Sequence, residues 1–183
     1  EMGAIQTNAR GVSSSAVAEF VFARLLQVWK ELRLLDIQQA ELTWKVRFGS
    51  EAVGKTIGIV GLGSIGREIA MRAKAFGMTV LAVKKNIESS TAHTEVDQLL
   101  RIDQLAEMVG QADVVVMAAP ATEETRDMFN SRMFTIMKPG AIFCNVARGM
   151  HVVEEDLIDA LESGHLKAAI LDVTRVEPLP TAS

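Results

Sequence analysis

Residues 56–70 read TIGIVGLGSIGREIA, and this stretch decides the fold. The apolar, β-branched run at its start indicates a buried strand, and the apolar spacing after the glycines indicates a helix. Gly61 permits a sharp turn, Gly63 permits close approach of a pyrophosphate, and Gly66 permits tight packing of the helix on the strand. A strand, a glycine-rich turn and a helix in this order predict a dinucleotide-binding site.

Downstream of this motif, strand-like and helix-like segments alternate regularly. The predicted strands are 79–83, 114–118, 141–146 and 168–173, and the predicted helices are 102–109, 130–137 and 154–162. Such alternation implies right-handed crossovers and a parallel sheet covered on both faces. We therefore predict a doubly wound α/β domain of the Rossmann type, with three layers.

The first part of the chain is different in character. A broad apolar stripe over 14–35 predicts one long amphipathic helix. We interpret 1–40 as an interdomain segment that contains this helix, and 41–183 as the dinucleotide-binding domain. Because the stripe is wider than one small contact requires, we expect it to pack against another chain or a missing domain.

Composition narrows the function classes. The 183 residues carry a net charge of −4, which provides no broad basic field for nucleic acid. No apolar run is long enough to span a bilayer, and no spacing of ligands indicates a metal. A lone cysteine, Cys144, favours a reducing, cytoplasmic setting. The chain opens in what resembles mid-protein sequence, so we expect a fragment or a processed form.

Ligands of open α/β sheets bind beyond the carboxyl ends of the strands, so the residues there are candidates. Lys84 and Lys85, followed by Asn86, come where an acid would normally hold the adenosine ribose. Two ammonium groups suit a 2′-phosphate, although a solvated basic turn is an equally good interpretation.

Three further strand ends offer candidate groups. Ala119 and Pro120 follow the strand at 114–118, and the proline directs the backbone out of the sheet. Arg148 offers forked donors that match a carboxylate, although an arginine here is often only a surface residue. Asp172 could accept a carboxamide N–H or simply cap a loop. Structural roles are expected for His93, His151 and His165.

Taken together, these motifs resemble the NAD-binding domain of the D-isomer-specific 2-hydroxyacid dehydrogenases. The similarity extends over almost the whole chain. It rests on 17–19, the glycine motif from 54 to 66, 76–78, 124–125, 137–141, 145–149, 171–173 and 177–180.

This resemblance implies roles for individual residues. Arg148 would bind the substrate carboxylate and polarise its carbonyl, and Glu177 would hold a catalytic histidine that lies past residue 183. The implied cofactor contacts are the glycines with Ser64 and Ile65 at the pyrophosphate, Ala119 and Pro120 beside the cofactor, Val146, Ala147 and Arg148 on the nicotinamide side, and Asp172 at the carboxamide.

The resemblance also implies an activity. We expect an oxidoreductase that transfers hydride between a nicotinamide cofactor and a small 2-oxo or 2-hydroxy acid, as a homodimer. The family's acid after the second strand is replaced by Lys84, so either NAD or NADP is plausible. By this resemblance we expect the substrate-binding domain to lie outside this chain and the chain alone to be inactive. A non-catalytic NAD(H) sensor is the alternative, because fold alone does not separate the two.

Overall fold

The computed structural model describes residues 11–85, 87 and 94–180, so Asn86 and His93 lie outside the described residues. The helices are α1 (Ser14–Trp29), α2 (Leu32–Ala40), α3 (Ser64–Ala75), α4 (Leu105–Gln111), α5 (Ser131–Ile136) and α6 (Glu154–Glu162). The strands are β1 (Thr56–Val60), β2 (Thr79–Lys84), β3 (Gln98–Arg101), β4 (Val114–Met117), β5 (Ala141–Asn145) and β6 (Leu166–Leu171).

The strands form one parallel sheet in the order β3-β2-β1-β4-β5-β6. In its centre, Ile57 of β1 lies opposite Val80 of β2 and Val114 of β4. Helices α1 and α3 cover one face, and α4, α5 and α6 cover the other. The predicted doubly wound, three-layer fold is confirmed.

Helix α1 packs on the domain's own core. Ala18, Val21 and Leu25 are fully buried in the cluster that includes β1 and α3. The ring of Phe22 stacks on that of Phe76, with centroids 5.1 Å apart. Part of the wide apolar stripe is therefore used inside this chain.

The long helix predicted over 14–35 is two helices in the structure. Glu31 adopts a left-handed conformation, with φ of 53°, and separates α1 from α2. The Trp29 carbonyl accepts a hydrogen bond from the Ser50 amide at 2.8 Å, and a Cβ on Gly49 would lie 2.5 Å from the Trp29 oxygen. The returning segment thus packs against the break.

Strand β3 was not predicted, and the strand predicted at 168–173 begins two residues earlier. Only two apolar residues separate Gln98 from Arg101, which is too few for a recognisable strand pattern. The edge strand is anchored from outside its own sequence, because the Val80 amide donates to the Asp97 carboxylate at 2.7 Å. Lys74 binds the same carboxylate, and the pKa of Asp97 is lowered by the Lys74 and Val80 hydrogen bonds.

One carboxylate links the amino ends of β1 and β4. Asp113 accepts a hydrogen bond from the Thr56 amide at 2.7 Å and pairs with Lys138 at 3.2 Å.

Among the helices that the structure describes, none has the length and apolar character to cross a membrane. Within the same residues, no cluster of histidine, cysteine and acidic side chains could hold a metal ion.

Candidate cofactor-binding and active site

The turn after β1 depends on two glycines for steric reasons. Gly61 has φ of +99°, and a Cβ there would lie 2.6 Å from the Cα of Ala119 on the loop after β4. A Cβ on Gly66 would lie 2.2 Å from the Gly61 carbonyl oxygen. Glycine at 61 therefore allows the loops after β1 and β4 to approach closely, and glycine at 66 allows α3 to pack against the turn that precedes it.

Gly63 has a different environment, because a Cβ on it would meet nothing within 4 Å. It is the residue before α3, whose first amides, those of Ser64, Ile65 and Gly66, have no acceptor within the helix. The positive end of a 12-residue helix therefore faces a place with room for an anion. This arrangement fits the pyrophosphate of a dinucleotide.

A cleft of about 790 Å³ opens beyond the carboxyl ends of β1, β2 and β4. The strand order reverses between β1 and β4, which is where ligands of doubly wound sheets bind. Of the residues that the sequence predicted at the cofactor, the cleft is lined by Gly61, Gly63, Ser64, Lys84, Lys85, Ala119 and Pro120. Its lining does not include Ile65, Gly66, Val146, Ala147, Arg148 or Asp172.

The end of the cleft beside the carboxyl end of β2 is basic, because Lys84 and Lys85 lie there. The lining also includes Arg67, which pairs with Glu95 at 3.0 Å, and one acid, Glu124. Lys85 Nζ lies 2.5 Å from Glu124 Oε2 across the cleft, and both side chains are 67% exposed. Sequence reasoning assigned no role to Arg67 or Glu124, although Glu124 lies in one of the family motifs.

The loop after β5 is held by a buried amide. The Asn145 side chain accepts from the Ala147 amide at 3.0 Å and donates to the Arg148 carbonyl at 2.9 Å. The Arg148 side chain itself is exposed, and its Nη1 donates to the Ala147 carbonyl at 2.7 Å. The structure thus presents a guanidinium at the carboxyl edge of the sheet, with free donors for a carboxylate.

The segment after β6 lies against this loop. A Cβ on Gly149 would lie 2.1 Å from the Thr174 carbonyl oxygen, so the two backbones are in direct contact. The Thr174 amide donates to the Glu177 carboxylate at 3.0 Å, which orients that side chain. The Asp172 amide donates to the Asn145 carbonyl at 3.0 Å. The loops that carry Arg148, Asp172 and Glu177 are therefore neighbours.

Two other groups singled out in the sequence are structural in their contacts. Cys144 is fully buried on β5, where burial raises the pKa of its thiol. His165 lies after α6, and its Nε2 is 3.0 Å from the Met137 carbonyl oxygen. Neither group lines the cleft.

A parallel, doubly wound sheet with a glycine turn and a helix N-terminus at the point of strand reversal defines a dinucleotide-binding protein. The chain belongs to the D-isomer specific 2-hydroxyacid dehydrogenases, whose NAD binding domain model matches residues 22–183. The resemblance inferred from the motifs is thereby confirmed.

Curated relatives include reductases of small 2-oxo acids. The chain is 37% identical over 187 residues to a glyoxylate reductase from Thermococcus gammatolerans, covering 96% of this chain and 54% of that protein. It is 35% identical over 180 residues to a hydroxypyruvate reductase from Thermotoga maritima, covering 97% of this chain and 57% of the relative. The chain thus spans about half the length of these two relatives.

Solved structures agree in fold. A D-isomer specific 2-hydroxyacid dehydrogenase family protein from Aeromonas salmonicida matches with a TM-score of 0.86 and 40% identity, over 97% of this chain and 56% of that one. A D-isomer specific 2-hydroxyacid dehydrogenase from Xanthobacter autotrophicus, solved with NADPH and MES, matches with a TM-score of 0.84 and 31% identity, over 96% and 55% of the two chains.

Proposed function

We propose that this chain is the cofactor-binding half of an NAD(P)-dependent D-2-hydroxyacid dehydrogenase or reductase. The observation that carries the proposal is that the glycine turn of 61–66 and the loops of Arg148 and Glu177 all lie at the carboxyl edge of one sheet. The bound nicotinamide cofactor would supply or accept the hydride, and the substrate would be a small 2-oxo or 2-hydroxy acid. The glyoxylate and hydroxypyruvate reductases among the relatives support this substrate class.

In this proposal, Arg148 and Glu177 are the catalytic residues that the chain contributes. The Arg148 guanidinium, exposed and close to its own backbone, would bind the substrate carboxylate through its forked donors and polarise the adjacent carbonyl. The Glu177 carboxylate would orient a histidine from sequence beyond residue 183 and favour its protonated form.

The cofactor would lie with its pyrophosphate at the turn of Gly61, Gly63 and Gly66 and the amides of Ser64 and Ile65. Ala119 and Pro120 would flank it on the side of β4. The loop of Val146, Ala147 and Arg148 would contact the nicotinamide, and Asp172 would accept its carboxamide N–H.

We also propose that NADP is preferred to NAD. Lys84 takes the position where an acid would hold the ribose hydroxyls of NAD, and Lys85 adds positive charge beside it. A 2′-phosphate would gain charge-assisted hydrogen bonds there. The Xanthobacter autotrophicus relative, solved with NADPH, supports this preference.

We propose that the protein acts as a homodimer in the cytoplasm. Leu42, Trp44, Val46 and Phe48 recur at every second position and are between 70% and 94% exposed. A stripe of this kind is suited to an apolar partner surface, and we assign it to a second copy of the chain. We also propose the division into an interdomain segment, 1–40, and a dinucleotide-binding domain, 41–183, with α1 of the first covering the sheet of the second.

The experiment is a comparison of binding with turnover. We expect the 183-residue chain to bind NADPH and NADH in calorimetry, and to show no steady-state reduction of glyoxylate, hydroxypyruvate or pyruvate, because substrate positioning requires a second domain. An extended protein that includes the sequence past residue 183 should turn over these acids, and Arg148→Ala should abolish that activity. Absence of cofactor binding by the chain, or an extended protein that binds cofactor without turnover, would contradict the proposal.

A further inference from the structure

His151 is a fully buried imidazole at the edge of the proposed active site. It ends the short 3-10 turn Gly149–His151, directly after Arg148. Its Nδ1 lies 2.8 Å from the Arg148 carbonyl oxygen. Because a carbonyl oxygen only accepts, Nδ1 carries the proton and donates to it.

The same carbonyl is held from a second direction. Asn145 Nδ2 donates to it at 2.9 Å, and the main-chain amide of His151 approaches it at 3.3 Å. Two side chains thus converge on one backbone oxygen, at the residue whose guanidinium is assigned to the substrate. This convergence fixes the plane of the peptide group between Arg148 and Gly149.

The other ring nitrogen makes the arrangement unusual. Within the described part of the chain, His151 Nε2 is a buried nitrogen with no hydrogen bond of good geometry. The ring lies near the backbone of Pro120, on the loop after β4 that lines the cleft. A buried polar atom without a partner is destabilising, so packing alone would be better served by an apolar side chain.

We propose that His151 is a positioning residue, whose Nδ1–H holds the Arg148 carbonyl so that the loop of 146–148 keeps the shape that contacts the nicotinamide half of the cofactor. The ring also lies close to the backbone of Pro120, on the loop after β4 that lines the cleft. The inference rests on the proposed function, because it takes the cofactor to lie across these two loops.

The test compares two ligands on the 183-residue chain. NADPH contains both halves of the cofactor, whereas 2′,5′-ADP contains only the adenosine half. His151→Leu removes the donor and should weaken NADPH binding about three- to fivefold, which is the size expected for one lost hydrogen bond. Binding of 2′,5′-ADP should change less than twofold, because the ring donates to the Arg148 carbonyl, on the proposed nicotinamide side. The pair NADH and ADP-ribose repeats the comparison without a 2′-phosphate.

Conservative variants separate positioning from packing. His151→Asn places an amide N–H near the position of Nδ1 and should restore NADPH affinity to within about twofold of wild type. His151→Gln places its amide near Nε2 and should not restore it, so the pair of amide variants decides the matter even if His151→Leu does not fold. Dihydronicotinamide fluorescence of bound NADPH should differ from wild type in His151→Gln and resemble it in His151→Asn.

Equal weakening of NADPH and 2′,5′-ADP, or equal affinities of the Asn and Gln variants for NADPH, would overturn the inference. Wild-type chain that binds neither NADPH nor NADH would overturn the proposed function as well. Wild-type binding with no effect of any His151 substitution would overturn only the positioning role.

Discussion

At the scale of single residues, the basic end of the cleft contains a carboxylate that would compete with a bound phosphate for Lys85. Glu124 already pairs with Lys85 at 2.5 Å, so a 2′-phosphate has to compete with this carboxylate. We expect Glu124→Gln to strengthen NADPH binding about two- to fivefold and to leave NADH binding nearly unchanged, because exposed pairs contribute about 0.2–1 kcal/mol. Lys84→Asp should have the opposite effect on the ratio of NADPH affinity to NADH affinity. This ratio is measured from the calorimetric dissociation constants of both cofactors.

Glu123→Gln is the matched control. Glu123 is the neighbouring acid, but it pairs with Arg126 at 3.0 Å and does not line the cleft. The Glu123→Gln substitution should change the dissociation constant of neither NADPH nor NADH. The gain in Glu124→Gln should also shrink at high salt, because the interaction is solvent-exposed. If wild type prefers NADH at every salt concentration and neither Glu124→Gln nor Lys84→Asp alters the ratio, the two lysines form only a solvated turn.

At the scale of elements, the contact between the loop after β5 and the segment after β6 requires glycine. Gly149→Ala would place a Cβ 2.1 Å from the Thr174 carbonyl oxygen, which must move. We expect a loss of about 1–3 kcal/mol in the free energy of unfolding, as for other overpacked sites. In an extended, active protein the substitution should also lower kcat, because Arg148 and Glu177 lie on the two displaced segments. Urea denaturation measures the stability change.

Gly110→Ala is the control, because Gly110 is a glycine with room for a Cβ. It lies inside α4, and the nearest atom to an added Cβ is 3.5 Å away. Alanine favours a helix over glycine by up to about 1 kcal/mol, so this variant should be neutral or more stable. Similar stability of the Gly149 and Gly110 variants would show that the close approach at Gly149 is easily relaxed.

Some of these elements could be predicted from the sequence and others could not. The unit of β1, turn and α3 was predictable because apolar spacing and three glycines are local signals. Strand β3 was not, because its pairing with β2 is stabilised by Asp97 and not by its own pattern. The break at Glu31 also depends on a distant segment, 49–50.

The candidate site divides in the same way. Gly61, Lys84 and Arg148 could be selected because the end of each strand is visible in the sequence. The contacts of Gly149 with Thr174 and of Lys85 with Glu124 join positions far apart in the chain, and only the fold brings these residues together.

At the scale of the whole molecule, the exposed stripe of 42–48 predicts self-association. Replacing Trp44 and Phe48 with serine should shift a dimer toward monomer in sedimentation, because each side chain is over 90% exposed in the single chain and would lose its apolar burial. The control is Ile158→Ser on α6, which is 51% exposed and outside the stripe. If the wild-type chain is monomeric at high concentration, the stripe does not mediate self-association, and contact with another part of a longer protein becomes the better explanation.

Global stability should decrease in mild acid. Burial lowers the pKa of His151 below its ordinary value, so the folded protein resists a proton that the unfolded chain accepts. As pH falls below about 6.5, the unfolded state is therefore favoured, by at most about 1.4 kcal/mol per pH unit for this one group. The other charged groups on segments bonded to this turn are Arg148, Asp127 and Arg175.

Melting temperatures of wild type and His151→Asn between pH 7 and 5 measure this effect. The wild-type value should fall more steeply than that of the variant, because the two proteins differ only at position 151 and every other contribution cancels in the difference. Parallel curves for the two proteins would show that His151 does not contribute to the acid sensitivity.

The separation between the glycines and the charged rim of the cleft has a consequence for how such a domain can diverge. Gly61 and Gly66 are fixed by backbone atoms less than 3 Å from where a side chain would begin, so nearly every substitution there is a structural defect. Lys85 and Glu124 stand mostly in solvent, outside the sheet and the core, where replacements are close to neutral for stability. Cofactor preference can therefore change in the course of evolution while the ability to bind a dinucleotide is retained.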